Sequence, residues 1–173
     1  MRFIHTADWH LGKLFGQRYM TEDQAFVLDA LVEAVRTYAA DAVVIAGDVY
    51  DRSVPPAEAV ALFGSVLGKI RAAGAEVLFI SGNHDSGRRL DFGAEVLAMA
   101  GVHVRARLTD DLSPVIIGSA EGPVAFSLIP YLDPIEVRDV FGIRETLSFD
   151  EAAALVVEKA RAALPGGMPS VAV

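Results

Sequence analysis

The stretch Asp41-Ala-Val-Val-Ile-Ala-Gly-Asp-Val-Tyr-Asp51 decides the fold of this chain. Its apolar part, Ala42 to Ala46, is too short for a helix and rich in β-branched residues, which predicts a fully buried strand of a parallel sheet. Gly47 then permits a tight turn, so that Asp48 stands at the carboxyl end of the strand. Ligands bind at that end of open α/β sheets, and a carboxylate placed there needs a positive partner.

Two further apolar runs, Arg2 to Ala7 and Glu76 to Ile80, end in the same way. Because helical patterns lie between the runs, the chain predicts βαβ units with right-handed crossovers and parallel strands. The carboxyl ends of these strands then share one edge of the sheet. Three groups of polar side chains should meet there: Asp8 and His10, then Asp48 and Asp51, then Asn83, His84 and Asp85.

The connecting helices are predicted from apolar residues spaced three and four apart. Thr21 begins the first helix, and Pro55 and Pro56 begin the second. A third helix is expected at about 92–100, before a short strand at 102–104. The buried stripes of the first two helices are predicted to be Leu28, Leu31, Val32, Val35 and Tyr38, and Val60, Phe63, Val66, Leu67 and Ile70.

After Arg105 the rhythm of the sequence changes. Residues 115–118 and 124–129 predict an antiparallel hairpin. Pro134 begins a short helix to about Phe141, and Ser148 is the expected cap of a helix over 149–164. The last residues, from Ser170, predict another buried strand, and an apolar strand at the end of the sequence suggests that more protein follows.

The composition fits one intracellular domain. At 173 residues, of which 53% are hydrophobic, the chain is long enough for one sizeable core. It has no cysteine, which excludes a disulfide framework and fits a reducing cytosol. There is no signal-peptide layout and no apolar run of bilayer-spanning length. We therefore expect a soluble cytoplasmic domain with no membrane partner.

The net charge of −8 disfavours a simple nucleic-acid-binding module, which normally has a basic patch. The acidic excess is uneven, because it is larger after Leu90 than before it. The acidic residues of the first half include candidate metal ligands, whose charge a bound cation would reverse. The charge alone therefore does not exclude a nucleic-acid substrate.

The three polar groups predict a metal site. Asp, His and Asn are donors suited to manganese, iron or zinc. Asp8 and His10 project on the same side of a strand end, and Asp48 can bridge two ions with its two oxygens. Asn83 offers a carbonyl oxygen to the second ion. Two ions roughly 3.5 to 4 Å apart would clamp a phosphate and activate a water for hydrolysis, while His84 would protonate the leaving oxygen or stabilise the charged transition state.

Three motifs, Asp8-Trp-His10, Gly47-Asp-Val-Tyr-Asp51 and Gly82-Asn-His-Asp85, resemble the first three motifs of the calcineurin-like metallophosphoesterases in order and spacing. Longer stretches narrow the resemblance to the bacterial DNA nuclease subunits of that superfamily. These stretches are H-T-A-D-W-H-L-G, A-G-D-V-Y-D-R-S-V-P-P-A-E-A, S-G-N-H-D-S-G-R-R-L and I-P-Y-L-D-P-I-E-V-R. Together they extend the resemblance over essentially the whole chain.

The resemblance implies an α/β/β/α sandwich, of which residues 1–173 would be the amino-terminal portion. It implies a manganese-dependent DNA nuclease, acting as an exonuclease on double-stranded ends and as an endonuclease on single strands. It also implies a homodimer that works with an ATPase subunit in DNA repair, recombination and replication. In that family two divalent ions, most often Mn²⁺, perform the hydrolysis.

Matched residue by residue, Asp8, His10, Asp48 and Asn83 resemble metal ligands, with Asp48 bridging, and His84 resembles the catalytic histidine. The family has two more histidine-bearing strand ends with a G-H-x-H motif, which this sequence lacks. Its four histidines are His5, His10, His84 and His103. The resemblance therefore implies a site that is incomplete in this chain, with the later metal-ligand strands and the DNA-binding cap absent.

The remaining charged residues of the motifs have two interpretations each. Asp51 and Asp85 either orient a His or Arg side chain beside the metals or are solvated loop residues. Arg52, Arg88 and Arg89 either contact DNA phosphates or are solvated surface arginines.

Aromatic and apolar residues near the motifs are assigned mainly to the core. Trp9 and Tyr50 are expected in core packing more than in base stacking. His5 is expected to be a core histidine or to orient a metal ligand, and His103 to be structural. The stripes at 60–70 and 92–99 either belong to the core or, as the resemblance implies, pair across a dimer.

Two other functions compete with the nuclease. A metallophosphodiesterase or phosphatase acting on a small substrate would share all three motifs. Alternatively, the chain is a catalytically silent piece used for dimerisation and partner docking. An assay on linear duplex DNA and on a chromogenic phosphodiester separates the nuclease from the enzyme with a small substrate. Cleavage of DNA by the 173-residue chain excludes the silent docking piece.

Overall fold

The computed structural model describes residues 1–173, which form nine strands and six helices. In chain order they are β1 (Phe3–Thr6), β2 (Leu14–Phe15), β3 (Arg18–Tyr19), α1 (Thr21–Tyr38), β4 (Ala42–Ala46), α2 (Ala57–Ala72), β5 (Glu76–Ile80), α3 (Gly87–Leu90), α4 (Ala94–Met99), β6 (Val102–Arg105), β7 (Val115–Ile117), β8 (Val124–Ser127), α5 (Pro134–Phe141), α6 (Phe149–Ala162) and β9 (Ser170–Ala172).

A parallel four-stranded sheet with the order β1-β4-β5-β6 is the centre of the molecule. Its register pairs Ile4 with Val43 and Val43 with Val77. β4 is buried over nearly its whole length because strands flank it on both sides and other layers cover both faces. The predictions for β4 and β5 are confirmed at both ends.

One face of the parallel sheet carries α1 and α2 and the largest core, a cluster of 20 buried residues. Phe63 of α2 stands at its centre. The centroid of its ring lies 6.0 Å from that of Trp9, 5.7 Å from that of Tyr50 and 5.3 Å from that of Phe79, all edge to face. The two aromatic residues of the motifs therefore pack in the core, which anchors the loops that follow β1 and β4.

The opposite face packs against a second sheet of β7, β8 and β9. Side chains that alternate along β4 and β5 meet this second sheet in a smaller core that includes Val44, Leu78 and Phe126. α5 and α6 form a third cluster around Val137 and Val156. These layers confirm the predicted mixed α/β class with a parallel sheet and helices.

Helix ends follow the predicted signals in the second half of the chain. The side chain of Asp133 accepts a hydrogen bond from the Ile135 amide and caps α5, whose first residue is Pro134. Ser148 and Glu151 form a reciprocal capping box at the start of α6. Both helices therefore begin at the predicted residue.

Several local predictions were wrong. The residues between the first strand and the first helix, for which no strand was predicted, form the small hairpin β2–β3. The helix expected at 92–100 is the shorter α4, which begins after Gly93 because that residue has a left-handed φ of 74°, and the separate helix α3 before it was not predicted. Tyr38 and Val60 are 63% and 48% exposed rather than buried. β9 is mostly exposed because it is an edge strand of the second sheet.

None of the helices is both long enough and apolar enough to cross a membrane.

Candidate metal and phosphoester site

The loops after β1, β4 and β5 meet at the carboxyl edge of the parallel sheet, as predicted. Backbone hydrogen bonds join the first two loops. The amide of Asp8 donates to the carbonyl of Gly47 at 3.2 Å, and the amide of His10 donates to that of Asp48 at 2.9 Å. The parallel pairing of β1 and β4 is thus continued, in irregular form, past the ends of both strands.

Three polar residues of these loops have left-handed backbone conformations. The φ angles are 56° for Asp8, 43° for His10 and 48° for Asp48. Asp and His adopt this region more readily than most residues, but each such residue still costs on the order of 1 kcal/mol. Only one other non-glycine residue, Ala39, has a positive φ. The strain is therefore concentrated where these side chains meet.

The loops after β4 and β5 approach each other closely through two glycines. A Cβ on Gly82 would lie 2.0 Å from Oδ1 of Asp48, and one on Gly47 would lie 3.0 Å from Cα of Gly82. The same Asp48 Oδ1 accepts a hydrogen bond of 3.0 Å from the His84 amide. Asp48 is thus held from the third loop while its other carboxylate oxygen remains free of these contacts.

Asp85 ties the same two loops together. Its carboxylate accepts hydrogen bonds from the amides of Val49, Tyr50 and Gly82, at 3.1, 2.9 and 2.9 Å. Burial raises the pKa of the Asp85 carboxyl above its usual range, and the three amide bonds oppose this shift. Asp85 therefore bonds three backbone amides, which is neither of the two roles considered for it, orienting a His or Arg side chain or being a solvated loop residue.

His10 lies between the carboxylates of the first two loops. Its Nε2 is 3.7 Å from Oδ1 of Asp8 and 3.8 Å from Oδ2 of Asp48. Its Nδ1 is buried, lies 3.5 Å from Oδ1 of Asp51 and has no hydrogen-bond partner. Asp51 also lies 3.3 Å from Nζ of Lys13. Asp51 therefore lies beside the ring of His10 without a hydrogen bond to it, and its role in orienting that ring stays a prediction.

These distances fit a shared divalent cation. Two donors on one ion, each at roughly 2.0 to 2.2 Å, are separated by no more than about 4.4 Å. The separations of His10 Nε2 from Asp8 and Asp48 are within that limit, and the donors are oxygen and nitrogen atoms, as Mn²⁺, Fe²⁺ and Zn²⁺ prefer. One donor atom each of His10, Asp48 and His84 also lie within 4.8 Å of one another.

His84 is oriented by the backbone of the second loop. Its Nδ1 lies 3.0 Å from the carbonyl oxygen of Asp51, and because a carbonyl oxygen can only accept, Nδ1 carries the proton. Its ring stands edge to face against that of His10, with centroids 4.8 Å apart. His84 is exposed, so Nε2 is available to a substrate.

Asn83 is exposed and lies beside His84 in the third loop. It lines a polar cleft together with Asp85 and Arg88. The structure therefore places Asn83 at the same edge of the sheet as the other predicted ligands.

Gln24 was missed by the sequence reasoning. From the first turns of α1, its Nε2 donates to the carbonyls of Trp9 and His10 at 2.9 and 2.8 Å, and its Oε1 accepts from the amide of Gly12 at 3.2 Å. These bonds hold the loop that carries Asp8 and His10. The sequence contains a signal for this role. Gln24 lies four positions before Leu28, so this polar residue falls on the buried face of the helix.

The aromatic residues of the motifs pack in the core, whereas the arginines that flank the motifs are exposed. Trp9 packs against the core and donates to Thr6 Oγ1 at 3.0 Å, and burial together with the nearby Asp85 carboxylate raises the pKa of Tyr50 to about 12. Both therefore have the expected packing role. Arg52, Arg88 and Arg89 are exposed.

The two remaining histidines lie away from the metal site. His5 is exposed on β1 rather than in the core, because β1 is an edge strand of the sheet. His103 lies 3.1 Å from Oε2 of Glu76 and is structural, as expected.

Comparison with known protein families shows which family the chain resembles. The family model described as calcineurin-like phosphoesterase matches residues 1–145. The matched span contains all three loops and every residue of the edge described above.

Proposed function

The chain belongs to the calcineurin-like phosphoesterase family, and from this premise we propose that its reaction is the hydrolysis of phosphodiester bonds in DNA. Phosphoester hydrolysis with divalent metals is the chemistry of the family. The more specific assignment to DNA is supported by the resemblance of the long motif stretches to SbcD, the nuclease subunit of the bacterial SbcC-SbcD complex. In this proposal residues 1–173 are the amino-terminal part of the nuclease domain.

The observation that carries the proposal is the position of His10 Nε2 between two carboxylates, at 3.7 and 3.8 Å, beside an exposed His84. Asp8, His10, Asp48 and Asn83 would hold two divalent cations, for which we propose Mn²⁺. Such cations make water nucleophilic at neutral pH and neutralise charge on a phosphate. The protein's part is to hold these donors rigidly, which the bonds from Gln24 and Asp85 support.

His84 acts on the leaving group in this proposal. Because Nδ1 donates to the Asp51 carbonyl, Nε2 faces away from that contact and can donate a proton to the departing oxygen when the ring is protonated. In the neutral ring, Nε2 accepts a hydrogen bond instead. A protonated His84 also stabilises negative charge that develops on the phosphate.

Because the motif stretches resemble SbcD, we also propose a homodimer and an ATPase partner of the SbcC type. An exposed apolar surface supports the dimer, since Phe92, Val96 and Met99 are 86%, 71% and 90% exposed around α4. Apolar patches of this kind mark interaction surfaces. Light scattering should show a dimer that Met99→Ser converts to monomer, whereas Val157→Ser, on α6, should leave it intact. A monomeric wild-type protein would refute the homodimer.

The proposed reaction is tested by activity assays on the full-length natural protein. With Mn²⁺ present, we expect cleavage of linear duplex DNA and of single-stranded DNA. Hydrolysis of a chromogenic phosphodiester without cleavage of DNA would refute the nuclease and favour a small substrate. Cleavage of neither substrate would favour a silent docking role.

A further inference from the structure

A polar cleft of about 240 Å³ lies beside the third loop. Its lining includes Asn83, Asp85, Arg88, Arg107, Tyr131 and Glu136. Asn83 belongs both to this cleft and to the predicted ligand set. A molecule bound in the cleft therefore lies next to the place where a phosphodiester would be hydrolysed.

The cleft is built by contacts between three separate segments. The hydroxyl of Ser81 donates to the carbonyl of Ala106 at 2.8 Å, and the amide of Tyr131 donates to the carbonyl of Ser81 at 2.9 Å. Gly87 fits so closely that a Cβ on it would lie 2.3 Å from the Ala106 carbonyl oxygen. The walls are thus fixed before any ligand binds, which reduces the entropic cost of binding.

The cleft has two guanidinium groups that are available to an anion. Arg88 and Arg107 are exposed and form no salt bridge. The carboxylate of Asp85 is already occupied by three backbone amides, so Glu136 is the one opposing carboxylate without a partner. Two unpaired guanidinium groups on one cleft are notable in a chain of net charge −8, and guanidinium groups match phosphate geometry well.

We propose that this cleft binds the nucleotide adjacent to the scissile bond of a polynucleotide, with Arg88 and Arg107 on its phosphate and Tyr131 stacked on its base. Tyr131 is 45% exposed, so a face of its ring is open to solvent and to a base. A volume of about 240 Å³ is smaller than the roughly 300 Å³ at which sites for whole small molecules begin. The cleft therefore takes one unit of a longer ligand.

This inference rests on the proposed hydrolysis of DNA and adds the residues that bind the nucleotide next to the scissile bond. A small phosphodiester has no second phosphate, so Arg107 would add nothing to its binding. A polynucleotide has a phosphate and a base on each side of the scissile bond. The cleft thus favours a nucleic-acid chain over the small substrate that shares the motifs.

Binding is measured first, in EDTA, where no hydrolysis occurs. A short labelled single-stranded oligonucleotide is titrated by fluorescence anisotropy over a range of KCl concentrations. Arg107→Gln should raise Kd about tenfold and reduce the slope of log K against log salt by about 0.7, the value for one lost phosphate contact on a single strand. Arg107→Lys should restore most of the slope.

Two further variants give results that a purely structural role would not produce. Tyr131→Ala should raise Kd by about 5- to 150-fold, the range for one stacked base, without changing the salt slope. Glu136→Gln should lower Kd, because it removes the opposing charge. Arg161→Gln, on the exposed side of α6, is the matched control and should leave Kd and slope at the wild-type values.

Unchanged Kd and slope in Arg107→Gln, or weaker binding in Glu136→Gln, would overturn the assignment. With Mn²⁺, the ratio of kcat/KM on the oligonucleotide to that on a chromogenic phosphodiester should fall about tenfold in Arg107→Gln. An equal fall on both substrates would show that Arg107 serves the fold or the metals, and would also overturn it. If the wild type hydrolyses neither substrate, the proposed function is refuted. The binding experiment still shows whether the cleft binds a nucleotide.

Discussion

Two clusters of histidine and carboxylate lie at opposite edges of the parallel sheet. At the amino-terminal edge, His103 Nε2 is 3.1 Å from one oxygen of Glu76, and Arg71 is 2.9 Å from the other. At the carboxyl edge, His10 lies 3.5 to 3.8 Å from three carboxylates and its buried Nδ1 has no hydrogen-bond partner. The residue types are similar, but the bonding is not.

The difference contrasts a cluster whose donors are bonded with the candidate metal site. Around Glu76 the donors are bonded, since Arg71 also donates to the carbonyls of Ala75 and Ala100 at 2.7 and 2.6 Å. Around His10 the nearby backbone is strained and the distances are too long for hydrogen bonds. An arrangement that is rigid and yet unsatisfied is what a site has before its ligand binds.

The largest effect is expected for His84→Asn. The asparagine amide can still donate to the Asp51 carbonyl, but the proton donor at Nε2 is lost, so hydrolysis should fall by about 10²- to 10⁴-fold. Mn²⁺ affinity, measured by isothermal titration calorimetry, should stay near the wild-type value. Loss of metal together with activity would instead make His84 a ligand, as its place within 4.8 Å of His10 and Asp48 allows.

Gly82→Ala tests how closely the loops of the carboxyl edge must approach. The new Cβ would meet Asp48 Oδ1 at 2.0 Å and the Asp48 amide nitrogen at 2.4 Å, so we expect a loss of about 2 to 3 kcal/mol in the free energy of unfolding. Gly68→Ala is the matched control on α2, where a Cβ meets nothing within 4 Å. Urea denaturation measures both, and equal stability of the two variants would show that the loops yield easily.

Gln24→Glu tests whether the loop of Asp8 and His10 is held from α1. The carboxylate can still accept from the Gly12 amide, but the two bonds donated to the Trp9 and His10 carbonyls are lost. Stability should fall by about 1 to 2 kcal/mol and Mn²⁺ affinity by about tenfold. Gln17→Glu, on the exposed hairpin, should change neither, and normal metal affinity in Gln24→Glu would limit Gln24 to a role in folding.

The smallest effect is expected at the amino-terminal edge. Glu76→Gln removes a pair of ionic contacts at a partly exposed site, which contributes about 1 kcal/mol or less. Metal binding and hydrolysis should be those of the wild type, as measured by calorimetry and by the chromogenic assay. A marked loss of either would mean that the two edges are not independent.

The sequence was sufficient for the features that periodicity and strand ends determine. β4 and β5 have the predicted bounds, and the polar residues after β1, β4 and β5 meet as expected because parallel strands present their carboxyl ends at one edge. Ser148 as the cap of α6 also followed from its residue type.

Features that depend on tertiary contacts were beyond the sequence. The bond from His84 to the Asp51 carbonyl involves a backbone atom, which no motif specifies. The three amides bound by Asp85 come from two different loops. The exposure of Tyr38 and Val60 depends on where neighbouring layers end, although their helical spacing was correct. The assignment of each residue to a metal stays a prediction.

Anomalous diffraction from crystals grown with Mn²⁺ tests the central claim most directly. We predict a manganese peak at the carboxyl edge, within bonding distance of His10 Nε2 and an oxygen of Asp48, and its loss in Asp48→Ala. A peak only beside Glu76 and His103, or a peak at the carboxyl edge that persists in Asp48→Ala, would contradict the account.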